Sequence, residues 1–231
     1  MKKIITILAV SAIAATAFIS CGGASSPKSE LDSVAYALGI DIGTSLRGMD
    51  STIDINKVVA GLKDAFNKNN KLEHEDAVNY LREYYTVRKP AQAKAAGEAF
   101  LADIENNNCN VQKTDSGLLY EIIEPGDQSQ MPTDDRDMVK VMYEGKLKDG
   151  QVFDSSYEKG DTIEFALNRV IRGWTEGMKL IGKGGKVKLY IPSDLAYGEY
   201  GQPRSQVPIG PNEPLVFDIE LIDIEPYTEA E

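Results

Sequence analysis

The sequence predicts an α+β fold: an antiparallel sheet wrapped on one short helix, preceded by an all-α N-terminal domain. Three observations carry this. Residues 31 to about 110 place apolar side chains at helical spacing and show no strand alternation. From Gly117 the period becomes two: Val139, Val141 and Tyr143 share one parity, as do Val187, Leu189 and Ile191, and Leu215, Phe217, Ile219 and Leu221. A half-buried strand puts each such set on one face. Among these strands one helical run, Arg172 to Ile181, presents Trp174, Gly177, Met178 and Ile181 on one side.

The elements follow in chain order. Lys2 and Lys3 precede an apolar run, Ile4 to Ile19, too short for a stable span but suited to an export signal. Residues 1–20 are therefore expected to be a signal peptide and 21–30, with Gly22-Gly23-Ala24-Ser25-Ser26-Pro27, a polar tether. Val34, Leu38, Ile42 and Leu46 form the stripe of a first helix. Asp54 is the expected N-cap of a second, which buries Val58, Val59, Leu62 and Phe66. A third begins near Glu73 with Ala77, Leu81, Tyr84 and Tyr85. Pro90 should interrupt or kink it, having no backbone donor and clashing with the preceding turn. Helical spacing resumes at Ala93, Ala96, Gly97, Phe100 and Ile104. The sheet domain then runs over 113–227, with a tail at 228–231. Pro125-Gly126 reads as a turn, 127–136 as a loop, and Lys148-Asp149-Gly150 as a hairpin turn, since Asp-Gly tolerates positive φ.

Composition narrows the functional classes. A formal net charge of −11 argues against a nucleic-acid partner, which needs clustered Lys and Arg. The one histidine, His74, falls in the helical region, so a Ser-His-Asp triad near the aromatic strands is excluded. One His and one Cys, Cys109, in the mature chain do not make a zinc site of the usual kind. No carboxylate pair is singled out by context, and the run Ile181-Gly182-Lys183-Gly184-Gly185 lacks a phosphate-loop pattern and reads as a turn. What remains is Tyr143, Phe153, Trp174, Tyr197 and Phe217 gathered beside one acidic group, Asp154. That describes a binding hollow with little acid–base chemistry. Packing alone is the alternative for the aromatics, and a turn-capping carboxylate for Asp154.

The ordered blocks MYEG, DGQVFDSS, VIRGW, LAYG and LVFDIEL closely resemble the FK506-binding-protein (FKBP) family of peptidyl-prolyl cis-trans isomerases. The resemblance covers Lys113 to Tyr227. It implies catalysed rotation about X-Pro bonds without a cofactor or metal, assisting the folding of exported proteins. By the same resemblance Trp174 floors the hollow, and Tyr143, Phe153 and Phe217 form its walls. Val170 and Ile171 border the opening, and the Ile171 N–H and the Tyr197 hydroxyl donate to substrate carbonyls. Asp154 accepts from Tyr143. Ile163 and Ile209 are further substrate contacts that the resemblance implies, although the chain departs from the family pattern where Ile163 takes the place of an aromatic, Gln202 that of a histidine, and Ile209-Gly210-Pro211 that of an Ile-Pro-Pro motif. Binding of macrolide inhibitors of the FK506 type is in question for that reason.

DSVAYALGIDIG, VAGLKDAF, GEAFLADIENN and SGLLYEI resemble the macrophage-infectivity-potentiator and FkpA group of exported two-domain isomerases. This implies a homodimer through residues 31–112, against the alternative of a monomeric helical subdomain. Ser20-Cys21-Gly22-Gly23 resembles a bacterial lipoprotein cleavage site, implying a lipid on Cys21 and a place at the periplasmic face of the outer membrane. The alternatives are an uncleaved anchor or a soluble exported protein. Cys109 then has no intrachain partner. The rival to an enzyme is a non-catalytic holdase or peptide-binding module on the same fold.

Overall fold

The computed structural model describes residues 26–229; the expected signal peptide and Cys21 lie outside them. By packing, the chain divides between Glu73 and His74.

The first unit holds α1 (Glu30–Met49) and α2 (Ile55–Phe66). Ser29 and Asp32 form a reciprocal capping box at the start of α1, which satisfies two backbone donors that the first turn leaves open. Asp54 caps α2 as expected, its side chain accepting from the Asn56 N–H. Neither helix buries a residue: Leu31, Val34, Leu38, Ile40, Leu62 and Phe66 all face outward. Among the described residues no helix is long and apolar enough to cross a membrane.

The second unit opens with α3 (His74–Glu83) and α4 (Lys89–Asn107), joined by a π-helical turn over Tyr84–Arg88. Pro90 does not break the helix. The missing proline donor is accommodated by widening the turn before it, where the Lys89 N–H reaches back to the Tyr84 carbonyl. Thr86 Oγ1 donates to the Arg82 carbonyl at 2.8 Å within the same turn.

The sheet contains β1 (Gln112–Lys113), β2 (Leu119–Glu124), β3 (Met138–Leu147), β4 (Val152–Ser155), β5 (Ile163–Ala166), β6 (Lys186–Ile191) and β7 (Leu215–Glu225). Its order is β1-β2-β6-β7-β3-β4, with β5 pairing β3 beside β4, and every pairing is antiparallel. The three parity sets behave as expected. Val139, Val141, Tyr143, Val187, Leu189, Ile191, Leu215, Phe217, Ile219 and Leu221 are all buried in one core. On this face lies α6 (Arg172–Met178), whose Gly173 and Gly177 bring its backbone against Ile191 and Leu189. A short α5 (Ser156–Lys159) also forms, so α6 is not the sheet domain's only helix. Its four residues are too few to show periodicity.

The opposite face of the sheet is covered as well. Leu119, Tyr190 and Val216 pack against Phe100, Leu101 and Ile104 of α4, and buried Gly97 lets that helix pass close to Asn212 and Pro214. Thus α4, which reads from sequence as part of the helical domain, forms a layer of the sheet unit.

Candidate active site

A hollow of about 540 Å³ opens on the core face of the sheet, within the size range of small-ligand sites. Its lining includes Tyr143, Phe153, Asp154, Val170, Ile171, Trp174, Tyr197 and Phe217, so eight residues singled out in the sequence converge on one place. Phe165, Arg169, Arg172 and Ala196 complete it. Ile163 and Ile209, expected as substrate contacts, lie outside the lining. Ile163 pairs with Val141 on β5, whereas Phe165, two residues on and of the same parity, pairs with Val139 and turns its ring to the hollow. Phe165 thus brings to the hollow an aromatic ring not singled out in the sequence. Ile209 is buried in the core and bridges Gln202.

Trp174 is 4% exposed and forms the floor. Three rings meet it edge to face: Tyr143 at 5.0 Å, Phe217 at 5.2 Å and Phe165 at 5.7 Å between centroids. Phe153 and Phe217 meet likewise at 5.5 Å. Such pairs each contribute about 0.5–1.5 kcal/mol beyond the area they bury, so the four rings around Trp174 hold one another in place. Gly145 makes room for the walls. A Cβ there would stand 2.7 Å from both the Phe153 and the Phe217 rings.

The polar side is built on β3, β4 and α5. Buried Ser156 accepts from the Tyr143 N–H at 2.8 Å and so fastens α5 to β3, while Ser155 caps α5 by accepting from the Glu158 N–H. This places Asp154 between two donors. Its Oδ2 accepts from the Tyr143 hydroxyl at 2.5 Å, and its Oδ1 from Lys159 Nζ at 2.9 Å. Sequence reasoning missed Lys159. The only available signal was a cation five residues after the aspartate, and that spacing means nothing until α5 is known.

These contacts set the protonation states. Burial alone pulls the Asp154 carboxyl up, but the hydrogen bonds from Tyr143 and Lys159 outweigh it and hold the group below its ordinary value. Burial and the neighbouring carboxylate push the Tyr143 hydroxyl well above the ordinary tyrosine range, and Tyr197 is raised by burial and then by Asp154. The Tyr197 hydroxyl has no hydrogen-bond partner among the described residues, and neither has the Ile171 N–H at the start of α6. Two donors and an aromatic floor thus face a hollow whose carboxylate stays charged and whose phenols stay neutral. That arrangement can hold an apolar ring and bind carbonyl oxygens. It cannot exchange protons near neutral pH.

Two family profiles match the chain. One, described as "FKBP-type peptidyl-prolyl cis-trans isomerase", covers residues 129–222; the other, "Domain amino terminal to FKBP-type peptidyl-prolyl isomerase", covers residues 31–122. The chain is 38% identical over 213 residues to the FKBP-type peptidyl-prolyl cis-trans isomerase FkpA of Escherichia coli, spanning 85% of this chain and 77% of that one. It is 40% identical over 210 residues to a probable FkpA of Neisseria meningitidis serogroup B, spanning 85% and 75%. The crystal structure of FkpA from Escherichia coli superposes with a TM-score of 0.59 at 34% identity, covering 87% of this chain and 99% of that one. A peptidyl-prolyl cis-trans isomerase structure from Pseudomonas syringae superposes with a TM-score of 0.52 at 36% identity, covering 58% and 95%.

Proposed function

Because the chain belongs to the FKBP-type peptidyl-prolyl cis-trans isomerase family, we propose a mechanism in which the aromatic hollow turns X-Pro bonds without exchanging a proton. The observation that carries it is the open hollow floored by Trp174, with the Tyr197 hydroxyl and the Ile171 N–H unpartnered at its edge. Rotation about a peptide bond has a barrier of about 18–20 kcal/mol because amide resonance is broken, and the twisted form is less dipolar than the planar one. An apolar enclosure disfavours the planar amide more than the twisted one, which lowers the barrier by differential stabilisation. Trp174 carries the proline ring between Tyr143, Phe153, Phe165 and Phe217. Tyr197 and the Ile171 N–H hold the flanking carbonyls, which stops the chain from turning as a whole. Asp154, pinned by Tyr143 and Lys159, presents a fixed charge to the reacting amide.

A proline-isomerisation assay on short peptides tests this against the holdase reading. The wild type accelerates exchange, and Tyr197→Phe and Asp154→Ala each lower kcat/KM about tenfold or more, a loss of roughly 1.4 kcal/mol of transition-state stabilisation. Aggregation suppression that survives in both variants, with no wild-type acceleration, would point to a holdase. The rate should be flat from about pH 5 to pH 9, since Asp154 titrates below its ordinary range and both tyrosines above theirs. A carboxyl with a lowered folded pKa stabilises above its unfolded pKa and loses that contribution as pH falls through the folded value. The site should therefore loosen only below about pH 4. A bell-shaped profile centred near neutrality contradicts this assignment.

The outward apolar faces of α1 and α2 support a homodimer through residues 31–112, because helices with nothing to bury gain a core by pairing. Light scattering at twice the monomer mass, reduced to the monomer on deletion of residues 31–66, checks it. Ser20-Cys21-Gly22-Gly23 after the apolar leader supports a lipid on Cys21 and a place on the periplasmic face of the outer membrane, where exported proline-containing chains are the clients. Loss of membrane association in Cys21→Ser checks the anchor.

A further inference from the structure

Three charged side chains line the hollow: Asp154, Arg169 and Arg172. Asp154 is balanced by Lys159, at 2.9 Å. Arg169 and Arg172 are exposed, and neither has an ion-pair or hydrogen-bond partner among the described residues. The hollow thus carries two guanidinium groups without a direct partner, in a chain of net charge −11.

The two are not equivalent. Arg172 also borders a neighbouring depression that holds Asp135, Glu176 and Lys179. Lys179 pairs with Asp135 at 2.5 Å. Glu176, which accepts from the Ser116 hydroxyl at 2.6 Å, is the carboxylate in that depression without a cation of its own among the described residues, so its charge offsets part of that of Arg172. Arg169, in the turn of 3-10 helix before α6, borders the hollow and not that depression, and the carboxylate it shares the hollow with is already neutralised. A guanidinium with no internal partner remains free to meet a carboxylate from outside, in the bidentate geometry that Arg favours.

On the reading of the hollow as a prolyl isomerase site, we infer that it selects X-Pro segments bearing an acidic side chain next to the proline, with Arg169 as the selecting charge. Attraction by the protein as a whole does not produce this preference, because its net negative charge repels acidic peptides at a distance. The preference arises within about one Debye length of the mouth, roughly 8–10 Å at ordinary salt. Two unit charges about 6 Å apart in water interact strongly enough for roughly a threefold effect, and more where the bound peptide displaces water.

The test is kcat/KM of the full mature chain on two peptide series, with Glu, Gln or Lys placed directly before the proline in one and directly after it in the other. In at least one series the wild type should favour Glu over Lys by about threefold to tenfold. The ratio should shrink at about 0.5 M salt, fall to near one in Arg169→Gln, and invert in Arg169→Glu. A wild-type ratio of one in both series overturns the inference, as does a ratio unchanged in Arg169→Gln. The Gln peptides keep the two claims apart. Charge-blind turnover of all peptides removes only the selectivity, whereas failure to accelerate the neutral peptides removes the isomerase reading and the selectivity with it.

Discussion

Trp174→Ala is expected to destabilise the second unit by about 3–5 kcal/mol and to abolish measurable isomerisation. The indole is 4% exposed and three aromatic rings lean edge-on against it, so its loss leaves a void that neighbours on three strands cannot fill. Tyr143 and Phe217 sit on the paired central strands β3 and β7, and Phe165 on β5, all fixed by backbone hydrogen bonding. Relaxation into the space is therefore small, which puts the effect at the upper part of the range for large-to-small substitutions. The thermal midpoint should fall on the order of 10 °C. Circular dichroism is the suitable probe, because the substitution removes the only tryptophan. Trp174→Leu separates floor from filler. It restores part of the volume but none of the flat aromatic surface, so the unit should stay folded at ambient temperature while kcat/KM drops at least tenfold. Full activity in Trp174→Leu would falsify the assignment of the indole as the proline platform.

The second large effect is expected far from the hollow. Gly182→Ala should destabilise the unit by about 3 kcal/mol or more. A Cβ at this position would lie 2.0 Å from the Asp127 carbonyl oxygen and 2.4 Å from its carbon. Neither is the mobile end of a side chain. Two loops cross here and are tied by backbone hydrogen bonds: Gly182 N–H to the Pro125 carbonyl at 2.9 Å, Asp127 N–H to Lys183 at 2.8 Å, and Lys183 N–H to Gln130 at 2.9 Å. Room for a methyl group can be made only by parting the loops and losing some of these bonds. Gly184→Ala is the control two residues away. Gly184 has φ +79° and nothing within 4 Å of an added Cβ, so alanine there meets only left-handed backbone strain, about 1–2 kcal/mol. Chemical denaturation of both variants reads the difference. Should Gly182→Ala prove the milder of the two, the crossing is looser than described.

Much of this architecture could be read before any coordinates, and the reason is local. Strand parity on β3, β6 and β7 names the core face because alternation needs no knowledge of the partner strand. The Asp149-Gly150 turn and the Asp54 cap are likewise properties of a few adjacent residues, and Gly150 does adopt φ +86°. The misreadings share an opposite origin. Whether Ile163 or Phe165 reaches the hollow depends on how β5 is registered against β3, since both have the same parity. Lys159 meets Asp154 only because α5 folds back, and Gly145 matters only because two distant rings converge above it. The packing of α4 on the sheet was hidden for the same reason: an apolar stripe shows that a helix is covered, not by what.

The wide turn at Tyr84–Arg88 also changes how the apolar pattern of the long helix should be read. At about 100° per residue, an unbroken α-helix would set the Ala93, Ala96, Gly97, Phe100 and Ile104 cluster roughly 130° around the axis from Ala77, Leu81, Tyr84 and Tyr85. One residue too many within a turn takes up about 100° of that rotation and brings the two clusters back nearly into phase. Pro90 and the widened turn thus work as a phase corrector spliced into the rod. Straightening it by replacing the proline while keeping every residue would swing its two halves onto different sides of the axis, whereas deleting one residue as well would leave them in phase.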